Sequence, residues 1–233
     1  MDALIAHTDT GAAQLVNRFG AEPAKVHVIA HGAFDYLAHQ ERERPLPDEL
    51  AQVEGPVVMC FGILRPYKGV DVLVEAFQQM EGAELWVVGR PWMDVEPLKR
   101  AATRAKAKIR FVDHFVPDEQ VPAFFRRADV VVLPYRRIDQ SGVLYTALAF
   151  AKAIVLSDVG GFSEVGRVDG AADLVAPGDP LALREALRRL IAQPGARAEL
   201  EQRAATAAAG RYSWDDIARR TLELYEGLVG STR

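Results

Sequence analysis

The sequence predicts an α/β protein built on a doubly wound parallel sheet with a closing C-terminal helix. Short apolar runs rich in β-branched residues recur at 56–61, 84–88, 109–112, 130–133 and 153–156. They lack polar alternation, as strands buried on both faces do. Stretches with helical spacing of apolar residues separate them, and that alternation implies parallel strands joined by crossover helices. Gly62, Gly89, Pro134 and Gly160-Gly161 stand at or soon after the ends of these runs, on the side where open α/β sheets bind ligands.

In chain order, residues 3–6 read as a short strand, and His7-Thr8-Asp9 supplies helix-cap chemistry for a helix over 10–19. Residues 25–29 read as a second strand. The charged, proline-bearing segment 41–48 (ERERPLPD) is a surface excursion, with a short helix starting at Pro47-Asp48-Glu49. The regular alternation follows: strand 56–61, helix 69–80, strand 84–88, helix 95–106, strand 109–112, and a helix over 118–127 capped by Asp118. Strand 130–133 closes at Pro134. Ser141 holds an N-cap position before the apolar positions Val143, Leu144, Ala147, Leu148 and Phe150. Strand 153–156, a short strand at 174–175, and helices over 180–193, 196–209 and 214–229 complete the chain.

The stretch 129–161 organises the rest. A helix opening at Ser141-Gly142 presents free N–H groups and a positive dipole end, which suit an anion. A phosphate-bearing ligand and an ordinary capped helix both fit this stretch taken alone. Composition narrows the function classes. A chain of 233 residues with 49% hydrophobic residues accommodates one α/β domain with an appendage. A net charge of −4 argues against a nucleic-acid partner, whose surface is normally basic. The single cysteine, Cys60, lies in an apolar run and reads as core; its count excludes a disulfide framework or a cysteine metal site and suits a reducing cytoplasm. No HExxH or other spaced ligand set occurs, so no metal is expected. No apolar run reaches membrane-spanning length, so no transmembrane segment is expected. Trp86 and Trp214 read as core, and Trp92 as exposed near the cleft.

Phe61 to Gly69 (FGILRPYKG) follows the first strand of the alternation. It lacks both the GxxxxGK[ST] and the GxGxxG spacing. It does place Arg65 and Lys68 at the carboxyl edge of the sheet, where a guanidinium and an ammonium can neutralise a diphosphate. On its own the same loop also reads as a solvated turn with two surface cations.

The ordered segments FGILRPYKGVDVLVEAF, ELWVVGRP, ADVVVLPY and QSGVLYTALAFAKAIVLSDVGGFSEV resemble the nucleotide-sugar domain of GT-B glycosyltransferases. The group resembled is the retaining one called family 4, or group 1. DALIAHTDTGAAQLVNRFGAEPAKVHVIAHGAF resembles the end of the acceptor domain and the crossover. The resemblance implies one Rossmann-like half of a GT-B fold: residues 1–24 as a remnant of the acceptor domain and crossover, and 25–233 as the donor domain. It implies that Arg65 and Lys68 hold the donor's diphosphate and stabilise it as the leaving group. In the same reading the helix-start amides at Ser141, Gly142, Val143 and Leu144 face the phosphates and sugar. Pro134 and Tyr135 lie near the base or ribose, and Gly62 and Gly89-Arg90 line the cleft. The family's paired glutamates fall here on Ile138 and Thr146. Asp139, one residue on, is the carboxylate placed to take the first role, and Thr146 offers the ribose a hydroxyl. No cofactor is implied beyond the nucleoside diphosphate sugar as substrate.

A complete GT-B enzyme has two such domains, with donor and acceptor meeting between them. This chain is therefore expected to be an excised domain, a truncated product or half of a split enzyme, weakly active or inactive alone. Its terminal apolar residues are expected to self-associate or to bind a separate acceptor-domain polypeptide. The acceptor stays open, and the location expected is cytoplasmic, with a peripheral place at the inner membrane as the family's option. Two other readings are a nucleotide-sugar binding or regulatory module without turnover, and a sugar-phosphate epimerase of the same fold, for whose acids no candidates stand out.

Overall fold

The structure, a computed structural model, describes residues 2–230. The expected segments 1–24 and 25–233 run onto Met1 and residues 231–233, which lie outside the described residues. The chain begins with β1 (Leu4–Ala6) and α1 (Asp9–Phe19) and continues through β2 (Val26–Val28) and the one-turn helices α2 (Asp35–Ala38) and α3 (Asp48–Ala51). The alternation is β3 (Val57–Phe61), α4 (Val70–Phe77), β4 (Glu84–Val88), α5 (Glu96–Ala102), β5 (Ile109–Val112), α6 (Val121–Arg127), β6 (Val130–Leu133), α7 (Gly142–Ala149) and β7 (Ala153–Ser157). Then come α8 (Phe162–Arg167), β8 (Asp173–Val175), α9 (Pro180–Ala192), α10 (Pro194–Ala209) and α11 (Trp214–Gly230).

The continuous apolar runs become the inner strands because only burial on both faces removes such runs from water. Val130 to Leu133 and Ala153 to Leu156 are all at most 1% exposed. Six strands form one all-parallel sheet in the order β5-β4-β3-β6-β7-β8. Counted from β3 this is the doubly wound order, which reverses direction between β3 and β6. Helices cover both faces. Val57, Met59, Trp86, Val131 and Leu133 point to one core with α6, α7 and α8; Val58, Cys60, Leu85, Val87 and Val132 point to the other with α4 and α9. The loops after β3 and β6 therefore face each other across the switch point.

β1 and β2 stand apart as a two-stranded parallel sheet, in register Leu4↔Val26 to Ala6↔Val28. β2, expected in the donor segment, thus pairs with the crossover strand and not with the six-stranded sheet. α1 is held to the main body where Thr10 donates through its N–H and its hydroxyl to Glu164 Oε1, at 3.0 and 3.2 Å. Trp214 is 47% exposed, so it is no core residue. Its ring lies flush on Gly32, where a Cβ would come within 2.4 Å, and its Nε1 donates to Ala33 O at 2.9 Å.

Asp118 does not cap the following helix by its side chain. A 3₁₀ turn over Asp118–Gln120 precedes α6 and makes no side-chain cap bond. α2 and α8 were absent from the sequence reading, because single turns next to glycines carry no periodicity to read. No helix among the described residues is long and apolar enough to cross a membrane.

Candidate functional site

β3 delivers Phe61 to the sheet edge, and Gly62 (φ +102°) turns the chain there. A Cβ on Gly62 would lie 2.9 Å from Lys68 Nζ and 3.0 Å from Val143 Cγ2. Glycine therefore leaves the space in which the ammonium and the start of α7 meet. After a 3₁₀ turn over Pro66–Lys68, Gly69 (φ +66°) passes against Pro134, whose carbonyl oxygen would be 2.0 Å from a Cβ. Gly89 (φ +135°) likewise passes within 2.3 Å, by its missing Cβ, of Gly62 O. These close passes bring the loops after β3, β4 and β6 onto one edge.

Lys68 is only 6% exposed. Its Nζ lies 5.1 Å from the centre of the Tyr135 ring, and among the described residues no carboxylate lies within ion-pair distance. Burial lowers its pKa below the usual lysine value, and the nearby Arg65 guanidinium adds to the lowering. Arg65 is half-buried and stacks on Trp92, its Cζ 4.3 Å from the ring centre. Among the described residues, neither Arg65 nor Arg90 pairs with a carboxylate.

α7 starts next to these cations. Ser141 is extended, at the N-cap position, but its hydroxyl makes no cap bond and lies 3.4 Å from the Tyr135 hydroxyl. The Gly142 and Val143 N–H groups are left without intrahelical acceptors, as at any helix start. Leu144 is different: its N–H donates to Ser141 O at 3.0 Å, so it is not free for an anion, contrary to expectation. Gln140, unremarked in the sequence reading, carries a buried Nε2 with no hydrogen-bond partner.

A cavity of about 260 Å³ opens beside this edge, lined by Gly62, Gly89, Arg90, Gly142, Val143 and Thr146 among others. Its apolar walls include Phe61, Phe115, Val116 and Tyr36, and Asp118 is the one acid that lines it. Phe115 and Tyr36 were missed in the sequence because they come from a loop and the one-turn helix α2, far apart in the chain. Pro134 and Tyr135, expected beside the base or ribose, are buried beneath the edge; Tyr135 is 1% exposed and serves as the shelf under Lys68. Thr146 Oγ1 donates to Gly142 O at 2.9 Å within the helix, which leaves its lone pairs to accept. Asp139 accepts from Gln14 Nε2 at 3.2 Å. The carbonyls of Ile138 and Asp139 lie on the Gly160-Gly161 turn, where Cβ atoms would approach them to 1.8 and 2.6 Å. Among the described residues, no three His, Cys, Asp or Glu side chains group as metal ligands.

Two cations without carboxylate partners among the described residues and a helix start meet at the switch point of a doubly wound α/β sheet, the place where such folds bind nucleotides and other anions. A family model described as "Glycosyl transferases group 1" matches residues 55–193. The chain belongs to that family, whose fold is the GT-B glycosyltransferase fold. D-inositol 3-phosphate glycosyltransferase of Acidothermus cellulolyticus is 30% identical over 252 residues, covering 100% of this chain and 54% of the relative. The protein of that name from Xylanimonas cellulosilytica is 31% identical over 242 residues, covering 96% and 56%. The chain thus spans about half the length of these curated relatives. Among solved structures, Anabaena Alr3699/HepE in complex with UDP superposes with a TM-score of 0.84 at 21% identity, over 97% of this chain and 64% of that one. The C-terminal domain of the Francisella tularensis group 1 protein LpcC gives 0.62 at 19% identity, over 74% of this chain and 96% of that one. At these identities the likeness is one of fold.

Proposed function

We propose that this chain is the donor half of a retaining glycosyltransferase and binds a nucleoside diphosphate sugar at the carboxyl edge of its sheet. The observation that carries this is Lys68: a buried ammonium without a counter-ion, beside Arg65 and the start of α7. Burying a charge is costly unless something pairs with it, and a diphosphate is the partner of matching charge and size. Group 1 membership and the UDP complex of Alr3699/HepE support the same reading.

In this mechanism the donor's diphosphate lies between Arg65, Lys68 and the Gly142 and Val143 amides, and the nucleoside enters the cavity walled by Phe61, Phe115 and Tyr36. Breaking the bond from the anomeric carbon to the diphosphate oxygen leaves the electron pair on the phosphate. Cations and amides fixed beforehand stabilise that charge without reorganising. Asp139 would reach the sugar only by leaving Gln14. Acceptor contacts belong to the other half of the fold. We place the boundary between the halves near residue 24 and assign the exposed ends of the chain to contact with an acceptor-domain polypeptide or a second copy.

Calorimetry with UDP, GDP and ADP, each beside its nucleoside, tests this reading. Diphosphates should bind far more tightly than nucleosides, and equal affinities would remove it. A binding module without turnover is the second reading, favoured by Thr146 at the second glutamate position and by the Asp139–Gln14 contact. Slow hydrolysis of a UDP- or GDP-sugar supports the transferase, and binding without hydrolysis supports the module.

A further inference from the structure

Arg65 is the weak point of a cation pair. It stands near Lys68, which it repels, and among the described residues no carboxylate holds it. A long, flexible side chain in that position would swing into solvent unless another contact fixed it, and ordering it would then cost binding energy. Trp92 supplies the contact, with the guanidinium carbon 4.3 Å from its ring centre. Stacking on an aromatic face uses the flat surface of the guanidinium and leaves its in-plane N–H groups free to form a fork to phosphate oxygens.

The backbone fixes Trp92 in turn. Leu64 N donates to Arg90 O at 3.0 Å, Trp92 N donates to Leu64 O at 2.9 Å, and Leu64 bridges Pro91 as an isolated β-pair. The loops after β3 and β4 are thereby zipped together one residue away from Arg65. Trp92 is otherwise 57% exposed, an unusual cost for the largest side chain. Its neighbours give it no core to complete.

Building on the diphosphate reading above, we infer that Trp92 is a positioning residue that holds the Arg65 guanidinium in place for the donor's diphosphate. It acts through Arg65 and makes no contact of its own with the reacting atoms. A carboxylate in its place would also hold Arg65, but would neutralise the charge the phosphate needs.

Titration of wild type, Trp92→Ala, Trp92→Phe, Arg65→Ala and the double variant Arg65→Ala/Trp92→Ala with UDP, GDP, uridine and guanosine tests this. Trp92→Ala should weaken the diphosphate that binds by about three- to thirtyfold, the range of a cation–π contact, and leave its nucleoside unchanged. Trp92→Phe should recover most of the loss. In the Arg65→Ala background Trp92→Ala should add nothing, because the side chain it holds is gone. An undiminished loss in that background, a matching loss for the nucleoside, or no loss at all would overturn the role of Trp92 while leaving the diphosphate site standing. Failure of the wild type to bind any of UDP, GDP and ADP would overturn both.

Discussion

The ammonium of Lys68 lies 5.1 Å from the centre of the Tyr135 ring, with no carboxylate of the described residues within ion-pair distance. Cation–π attraction is weaker than an ion pair, and burial lowers the lysine pKa. The free protein thus carries a charge that it would be more stable without. Lys68→Met should stabilise the protein by roughly 1–2 kcal/mol at neutral pH, the scale of removing an uncompensated polar burial. The same change should abolish tight diphosphate binding. The folded-state pKa lies below the unfolded one, so wild type regains stability as pH rises from the folded value towards 10.5. Denaturant unfolding of both proteins should show the gap closing in that window. A Lys68→Met protein less stable than wild type at neutral pH would mean that Lys68 has a favourable partner.

Proton uptake on ligand binding follows from the same pair. A bound diphosphate favours the charged ammonium and raises its pKa from the depressed free value. Affinity should therefore fall as pH rises through the free-state pKa. Calorimetry in buffers of different ionisation enthalpy, at pH values below the ionisation of the nucleotide base, should report uptake that grows with pH in wild type and is absent in Lys68→Arg, whose cation does not titrate. Identical uptake in both would move the titrating group elsewhere.

The helix start can be separated from the acidic loop. Gly142→Val places a branched side chain where a Cβ already meets Phe34 Cε2 at 3.0 Å, on the cavity wall. Asp139→Asn removes a charge that faces Gln14. The first should weaken nucleoside diphosphate binding by about 2 kcal/mol or more through lost approach to the amides, and the second by a few tenths at most. The reverse ranking would put the anion site away from α7.

Strands and cavity differ in how far the sequence shows them. β4, β5 and β6 have the bounds that their apolar runs suggest, because burial on both faces leaves a local signature in each residue. Arg65, Lys68 and Gly142 were legible because they lie within one loop or helix start. The apolar side of the cavity was not, since Tyr36, Phe61 and Phe115 come together only through the winding of the sheet. Tyr135 misled for the same reason: its position after β6 was visible, but not that its ring turns beneath Lys68. Ser141 was read as a cap by type, and tertiary packing gave its hydroxyl to Tyr135 instead.

The Gly160 turn is the fold's tightest contact with the site loop. Its φ is +50°, and a Cβ would lie 1.8 Å from Ile138 O. Gly160→Ala should destabilise the chain by about 2 kcal/mol or more, as a steric conflict on top of left-handed strain. It should also displace the 135–141 loop and weaken diphosphate binding, whereas Gly178→Ala, with φ +75° and nothing within 4 Å of the added Cβ, should show the strain alone. Equal unfolding midpoints for the two variants would remove the carbonyl contact as the cause.

The last expectation concerns the ends of the chain. β1 and β2 form a two-stranded sheet, too small to be stable without further packing. α11 lies across it, with Arg220 donating to Val28 O at 2.7 Å. A groove of about 720 Å³ runs between them, lined by Val26, Val28, Ile29 and Leu224 among others. Leu222 and Tyr225 on α11 are 57% and 56% exposed, and Ile5 on β1 is 39% exposed. Leu222 and Tyr225 do not line the groove, and exposed large apolar side chains on one helix mark an interaction surface or an aggregation risk. Leu4, Leu15 and Val16 are partly exposed, as expected of the terminal apolar residues, and Leu222 and Tyr225 are more so. The isolated chain should therefore self-associate at high concentration, and Leu222→Glu with Tyr225→Glu should return it to a monomer. Nucleotide affinity should stay unchanged, because both residues lie outside the cavity and its cations. Sedimentation that gives a clean wild-type monomer at high concentration, with both ends resistant to proteolysis, would show that these segments are satisfied by the contacts they already make.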